Sequence, residues 1–375
     1  MPAIPNPIPV MLFARELGVG GSERQLTEIA KTLDKKRFSV HAGYFREGMR
    51  GRELAGAGIA LCPLDVTSFR KPTAIREARK LVRYLQQHRI QIVHTFDYPL
   101  TCFVVPVARA FGVPIVLSSQ RGSRELIPNF YRGLIRITDL LADGVITNCR
   151  ALEAQLVQEE NLPRRRIHLC YNGIDVARFQ QLPLREQASR EPVTIGCISV
   201  FRPEKNLGLL LKAVSALSVS FPQIRILLVG GGSEEQRLRK LAGDLWITNR
   251  LTLLPAQANV LTALKEIDIF VLPSTTEALS NSLMEAMACG RAVIASNVGG
   301  TPELIEHGKN GLLFDDGNLA DLKRQMAKLL SDAGLRHQLG HAARQTIVER
   351  FSIEQSARRM GDIYQEMLDR KMGNL

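Results

Sequence analysis

The sequence predicts an α/β protein built as two doubly wound, parallel-sheet domains that face each other across a cleft. Three observations predict it. Short apolar runs of strand length alternate with amphipathic runs of helix length along most of the 375 residues. The alternation breaks once, over residues 180–192 (QQLPLREQASREP), and then restarts. Residues 269–296 read as strand, polar turn, helix and strand with short connections, which is the connectivity of a parallel sheet. A chain of this length also exceeds what one ordinary hydrophobic core organises.

In the first half, an apolar strand spans residues 10–14. The glycine pair Gly20-Gly21 follows, then an amphipathic helix running to Leu33, then a strand over 38–45. A helix at 73–88, strand at 92–95, helix at 102–111, strand at 115–118, helix at 131–142 and strand at 144–148 continue the pattern. After the break come a strand at 194–200, helix at 207–218, strand at 225–229, a glycine turn at 230–233 and a helix at 234–242. A strand at 251–254 and a helix at 260–267 lead into the strand at 269–272. A polar turn at 273–281, a helix ended by Gly290 and a strand at 292–296 follow, with Gly299-Gly300 before the next helix. The expected division is residues 1–182, a linker at 183–192, residues 193–350, and a final helical segment at 351–375.

The apolar fraction of 45% and charged fraction of 23% are those of a soluble globular chain. No apolar run approaches the length of a bilayer span. The proline-broken start lacks the basic and apolar regions of a secretory signal and is expected to be a flexible lead-in. Six cysteines without metal-like spacing fit reduced, buried thiols of a cytoplasmic protein. The net charge of +12 is uneven: residues 1–175 carry 25 basic and 16 acidic side chains, a net of +9. Such a half suits an acidic partner, whether nucleic acid, an anionic membrane or an anionic substrate.

The candidate chemistry gathers at predicted strand ends, where parallel sheets bind ligands. Glu277 lies in the turn after the strand at 269–272, and Glu285 lies eight residues on, at the start of the next helix. Carboxylates suit sugar hydroxyls, and a helix N-terminus suits phosphate. Two plainer readings stand beside these roles. Ser282-x-x-Glu285 also fits a capping box, and Glu277 also fits a surface loop. Arg202 and Lys205 follow the strand at 194–200; a guanidinium fork and a mobile ammonium suit a diphosphate, or belong to a solvated loop. Gly230 and Gly231, like Gly20 and Gly21, permit close backbone approach to a ligand or form a tight turn. Neither cluster completes a dinucleotide fingerprint.

Taken together, Glu277-x7-Glu285, Arg202-x2-Lys205, Gly230-Gly-Gly, Asn297-Val-Gly-Gly-Thr-Pro-Glu303 and His307-Gly-Lys-Asn-Gly311 resemble the retaining glycosyltransferases of the GT-B fold, family 4 (group 1). Gly20-Gly-Ser-Glu23 and Tyr171-Asn-Gly-Ile-Asp175 extend the resemblance into the first half. It implies two Rossmann-like domains, an N-terminal one for the acceptor and a C-terminal one for a nucleotide-sugar. The last helix is implied to return to the N-domain. It implies that Arg202 and Lys205 bind the donor diphosphate, that Glu285 accepts from the ribose hydroxyls and that Glu277 faces the donor sugar. The backbone of Leu279, Ser280, Asn281 and Ser282 is implied to hold sugar hydroxyls and phosphate, and the loop from Pro255 to Asn259 to meet the base. The expected reaction is metal-independent hexosyl transfer with no cofactor beyond the nucleotide-sugar. There is no Asp-x-Asp motif, and Asp315-Asp316 is read as a turn. UDP is preferred over GDP or ADP on abundance alone. The implied acceptor is a glycan or lipid-linked sugar of cell-envelope or exopolysaccharide synthesis.

The chain departs from the family in one place. Where a histidine often follows the strand at 115–118, it has Gln120 and Arg121. Gln120 is a candidate for a sugar hydroxyl, and Arg121 with Arg124 for an anionic acceptor. A basic helix bearing Arg70, Lys71, Arg76, Arg79, Lys80, Arg83 and Arg89, and the arginines of 121–136 among Leu126, Ile127, Phe130 and Tyr131, admit two readings. One is an anionic membrane surface at the inner face of the cytoplasmic membrane; the other is ordinary core-facing helices with a solvated basic side. Three rival functions are a sugar-nucleotide epimerase or hydrolase, a dehydrogenase and a nucleic-acid-binding module. The last lacks a recognised motif and has only two aromatics in its basic cluster.

Overall fold

The computed structural model describes residues 7–69, 71–182, 192–257 and 259–373. Residues 183–191 of the expected linker (183–192), Arg70, Ala258, the first six residues and the last two lie outside the described residues. Backbone contacts divide the chain into two compact units, Met1–Gly173 with Ile353–Leu375, and Ile174–Ser352.

The first unit holds strands β1 (Ile8–Glu16), β2 (Phe38–Arg46), β3 (Ala60–Pro63), β4 (Ile92–Thr95), β5 (Ile115–Gln120), β6 (Gly144–Thr147) and β7 (Ile167–Leu169). They form one sheet in the order β3-β2-β1-β4-β5-β6-β7, with every pairing parallel. Its helices are α1 (Gly21–Thr32), α2 (Met49–Gly56), α3 (Pro72–Gln87), α4 (Tyr98–Ala110), α5 (Asn129–Leu141) and α6 (Arg150–Gln158). Alternate side chains of a strand point to opposite faces, and here both faces are covered. Val10, Leu12 and Ala14 of β1 join a core containing α1, while Met11 and Phe13 join a core containing α3 and α4. A strand buried on both faces reads as a continuous apolar run, and β1 does from Val10 to Ala14.

The second unit holds β8 (Thr194–Val200), β9 (Arg225–Gly231), β10 (Leu251–Leu254), β11 (Ile269–Leu272), β12 (Ala292–Ser296) and β13 (Leu312–Phe314), in the order β10-β9-β8-β11-β12-β13. These strands are also parallel. Its helices are α7 (Leu207–Leu217), α8 (Glu235–Asp244), α9 (Leu261–Glu266), α10 (Asn281–Ala288), α11 (Thr301–Leu304), α12 (Leu319–Ser331) and α13 (Ala333–Arg350). The strand order reverses between β1 and β4 in one unit and between β8 and β11 in the other. Such reversals are where crevices open in doubly wound sheets.

The last helix, α14 (Ile353–Lys371), belongs to the first unit: Met360, Ile363, Tyr364 and Leu368 are buried in its core. Phe38 meets Tyr364 edge-on at 5.9 Å. His94, fully buried on β4, bridges the Tyr364 hydroxyl and Ser119 Oγ at 2.8 Å each. Burial lowers the imidazole pKa well below its usual value.

Several elements differ from expectation. Residues 174–182 fall with the second unit, not the first. Ile174 N–H donates to Phe351 O at 2.9 Å, Leu182 N–H to Cys289 O at 3.1 Å, and Arg344 Nη1 to Phe179 O at 2.6 Å. Helix α4 begins four residues before the expected position, because Asp97 caps it by accepting from Leu100 N–H. Strands β3, β7 and β13 were not anticipated; three or four residues are too few to display an alternation. Helix α13 was also missed, since it buries Arg336, Gly340 and Ala343 beside Leu339 and Ile347 and shows no clean apolar stripe.

Candidate active site

The crevice of the second unit is built by the ends of β8 and β11. These neighbours pair at Ile269↔Ile195 and Phe270↔Gly196 only, although β8 runs on to Val200 and β11 to Leu272. The ladder therefore stops short of both carboxyl ends, and the two following loops occupy the gap. The loop after β8 makes a 3-10 turn over Pro203–Lys205, then Asn206 adopts a left-handed conformation (φ 47°) to enter α7. The loop after β11 is tied to it through the backbone, with Thr275 N–H donating to Glu204 O at 2.8 Å.

This juxtaposition brings Lys205 Nζ directly onto Glu277 Oε1. The same oxygen accepts from Ser274 Oγ at 2.8 Å. Glu277 is 9% exposed and Lys205 21%, so the pair is largely withdrawn from water. A surface-loop reading of Glu277 does not survive that burial. Such a pair keeps its charges only because each answers the other. Arg202 stands at the start of the turn, and its backbone carbonyl accepts from Lys205 N–H at 3.0 Å. Its side chain is 62% exposed and only 3.9 Å from Glu204, leaving the guanidinium turned to solvent at the crevice mouth. One fixed cation, one reachable cation and one fixed carboxylate thus converge at the reversal of strand order.

The helix after β11 is capped by Ser280, not Ser282. Ser280 Oγ accepts from Leu283 N–H at 3.4 Å and lies 3.3 Å from Ser282 Oγ. Glu285 is then the fifth helical residue, beyond the third position from which a capping box reaches back. The capping-box reading is corrected accordingly. Glu285 is 1% exposed in α10. A carboxylate at that depth is held for an interaction rather than for solubility.

Residues that the sequence reading passed over fix the Glu277 loop. Ser274 and Ser296 are both fully buried, and Ser296 Oγ donates to Ser274 O. Gly300 N–H donates to Ala278 O at 3.1 Å. Gly299 has φ 52°, and a Cβ there would sit 1.7 Å from Glu277 O, so the glycine pair clamps the carboxylate's backbone. The signal was present in Asn297-Val-Gly-Gly, but not the partner it serves. Gly230 and Gly231 lie inside β9 and pair with Ser199 and Val200. A Cβ on Gly230 would lie 1.8 Å from Ser199 O. These glycines admit the backbone that carries Phe201 into Arg202, and Phe201 N–H donates to Gly231 O at 2.9 Å. Pro255 is exposed just past edge strand β10. Asp315 sits in a turn, accepting from Asn318 N–H at 3.0 Å.

The remaining predicted residues lie in the first unit. Gly20 caps α1 and Gly21 begins it, at the β1 end of that unit's own reversal. Asp97, at the β4 end, accepts from Arg15 N–H; burial pushes its carboxyl up to about 6. Gln120 ends β5 with both amide atoms engaged, Nε2 on Gly122 O and Oε1 on Arg124 Nε at 3.2 Å. Arg124 is 2% exposed and paired with Asp139, with Glu160 at 3.6 Å. Gln120 and Arg124 therefore build the interior of the unit, a correction to their reading as acceptor contacts. Arg121 donates to Asn172 Oδ1 at 2.8 Å and covers the Phe96 ring at 4.4 Å. Burial draws its guanidinium down to about 10.

The chain matches two family models, one described as glycosyl transferases group 1 over residues 181–346 and one as glycosyltransferase family 4 over residues 19–178. It is similar to the N-acetyl-alpha-D-glucosaminyl L-malate synthase of Bacillus anthracis, at 27% identity over 380 residues, spanning 95% of this chain and 97% of that one. It is also similar to a GDP-mannose-dependent alpha-(1-6)-phosphatidylinositol monomannoside mannosyltransferase of Mycobacterium tuberculosis, at 27% identity over 76% of this chain and 78% of that one. Among solved structures, Anabaena HepE in complex with UDP superposes with a TM-score of 0.81 at 20% identity, covering 96% of this chain and 100% of that one. Sucrose-phosphate synthase of Thermosynechococcus elongatus gives 0.77 at 18% identity, with 97% and 100% covered. The two parallel sheets and these superpositions establish the GT-B fold.

Proposed function

Because this chain belongs to the group 1, family 4 glycosyltransferases, and is thus a glycosyltransferase, we propose that it transfers a hexose with retention from a nucleotide-diphosphate sugar, UDP-linked, to a glycan or lipid-linked acceptor. The setting would be cell-envelope or exopolysaccharide synthesis on the cytoplasmic side of the membrane. The observation that carries the reading is the buried Lys205–Glu277 pair beside exposed Arg202, at the β8–β11 reversal.

In this reading the anomeric C–O bond to phosphate breaks and its electron pair leaves with the diphosphate. A new anomeric C–O bond forms to the acceptor hydroxyl, whose proton passes to the released phosphate. Charge develops at two places, and fixed groups stabilise it most effectively when no reorganisation is needed. Arg202 and Lys205 meet the departing diphosphate without a metal, the N-terminus of α10 adds backbone N–H groups, and Glu277 faces the cationic sugar carbon. The backbone of Leu279, Ser280, Asn281 and Ser282 holds sugar and phosphate oxygens. Glu285 takes the ribose hydroxyls, and the loop starting at Pro255 meets the base. The acceptor docks on the first unit, with Arg121 as its candidate cation; wild-type transfer by Arg121→Ala would remove that residue from the role.

The test is nucleotide release from a panel of UDP-, GDP- and ADP-sugars, with chelator present, with and without a lipid-linked acceptor. The reading expects release from one donor that rises with acceptor and survives chelation. Release that ignores acceptor supports an epimerase or hydrolase instead, and binding of oligonucleotide alone would sink the transfer reading.

A further inference from the structure

Helices α3, α4 and α5 of the first unit cover one face of its sheet, and α3 is an ordinary member of that layer. It buries Ala74, Leu81, Val82 and Leu85 and turns Arg76, Arg79, Lys80 and Arg83 outward. Its basic side is therefore a solvated face of a core-facing helix, as the plainer sequence reading had it. Helix α5 does the opposite. It buries Ile135, Thr138 and Asp139, and exposes Phe130 (63%), Ile137 (56%) and Leu140 (73%). On a helical period these three share one side, opposite the buried one, while Leu141 at the helix end packs against the core. Leu126, in the turn before α5, is also 52% exposed.

The inversion is held in place by the interior. Asp139 is paired with Arg124 beneath the helix, and its backbone carbonyl accepts from Arg166 Nη2 at 2.6 Å. Rolling α5 to bury its leucines would pull that ion pair apart at a cost of several kcal/mol. The outward apolar face is thus a fixed property of the fold. Clustered exposed apolar side chains of this kind mark a surface that is covered in use.

We propose that α5 docks the first unit on an anionic lipid bilayer, with Phe130, Ile137 and Leu140 entering the headgroup boundary. Charge decides for lipid over a second copy of the chain. Residues 1–175 carry a net charge of +9, and Arg132 and Arg136 lie along one margin of the stripe, Arg136 59% exposed beside its partner Glu160 at 2.7 Å. Two copies meeting face to face would oppose like charge, whereas an anionic leaflet attracts it. A helix with large apolar side chains on one side and cations along its margin is the form that lies in a membrane interface. The partner is the one the transfer reading needs for a lipid-linked acceptor, but the docking face does not rest on that reading.

The experiment is flotation of the full chain with vesicles of phosphatidylcholine alone or with added phosphatidylglycerol, at low and high salt. Wild type is expected to float with anionic vesicles and to be released by salt. The exposed-face variant Phe130→Ser/Leu140→Ser is expected to bind at least about tenfold more weakly, with thermal midpoint and nucleotide-induced shift unchanged. Phe130→Trp, in a Trp246→Phe background that removes the single native indole, is expected to shift its emission to the blue on vesicle addition. Three results would overturn the proposal: wild type that stays with the pellet at low salt, a double variant that floats like wild type, or a dimer in sedimentation that the double variant abolishes. Since nucleotide binding is read separately, loss of vesicle binding leaves the transfer reading standing.

Discussion

Glu277 and Glu285 are eight positions apart but meet different surroundings, and the difference assigns separate work to each. Glu277 holds Lys205 and Ser274 on one oxygen in the crevice, whereas Glu285 is sunk in the second turn of α10. Glu277→Ala is expected to lower transfer by about two to three orders of magnitude. It leaves nucleotide binding intact, because it removes a group facing the sugar and frees Lys205 for phosphate. Glu285→Ala is expected to weaken nucleotide binding and lower the melting midpoint together, as befits a carboxylate at that depth. Transfer kinetics, calorimetric nucleotide binding and thermal unfolding on both variants check this; indistinguishable profiles would end the division of labour. At this scale the sequence displayed the residue types and their spacing. It could not display that Lys205 and Glu277, 72 positions apart, share a contact, nor that Arg124 and Gln120 are consumed by the interior. An arginine looks the same in sequence whether it awaits a ligand or pairs with a buried aspartate.

Elements position the site through backbone, and that is the level where sequence patterns said least. The glycine pair after β12 was visible, yet its purpose is set by the loop after β11, whose carbonyl at Glu277 leaves no room for a side chain on Gly299. Gly299→Ala is therefore expected to displace the Glu277 backbone. Strain at a positive φ together with a backbone clash should cost about 2 kcal/mol or more of stability in the second unit, along with most of the transfer rate. Urea unfolding followed in parallel with donor turnover measures both; a variant with wild-type stability and turnover would show that the clamp is dispensable. Helix α10 teaches the same lesson about caps. Ser282-x-x-Glu285 satisfied the pattern, but Ser280 took the cap, because a pattern counts residues while a cap needs one backbone turn out of the helix.

Across the molecule, strand–helix alternation carried the two doubly wound units, since buried parallel strands must be apolar on both faces and therefore stand out. The boundary between the units was less legible. Residues 174–182 leave the first unit because their N–H groups find carbonyls at Phe351 and Cys289, partners over a hundred positions away that no local composition reveals. Helix α14 is anchored by a similar long link, through His94 and Tyr364. The central claim concerns the second unit: its β8–β11 crevice binds a nucleoside diphosphate through Arg202 and Lys205. Titration calorimetry of UDP, GDP and ADP against wild type and the Arg202→Ala/Lys205→Ala variant tests it most directly. One nucleotide should bind wild type and lose at least about tenfold in affinity, some 1.4 kcal/mol or more, in the variant. Equal affinity in the two proteins, or no binding of any of the three to wild type, would contradict it.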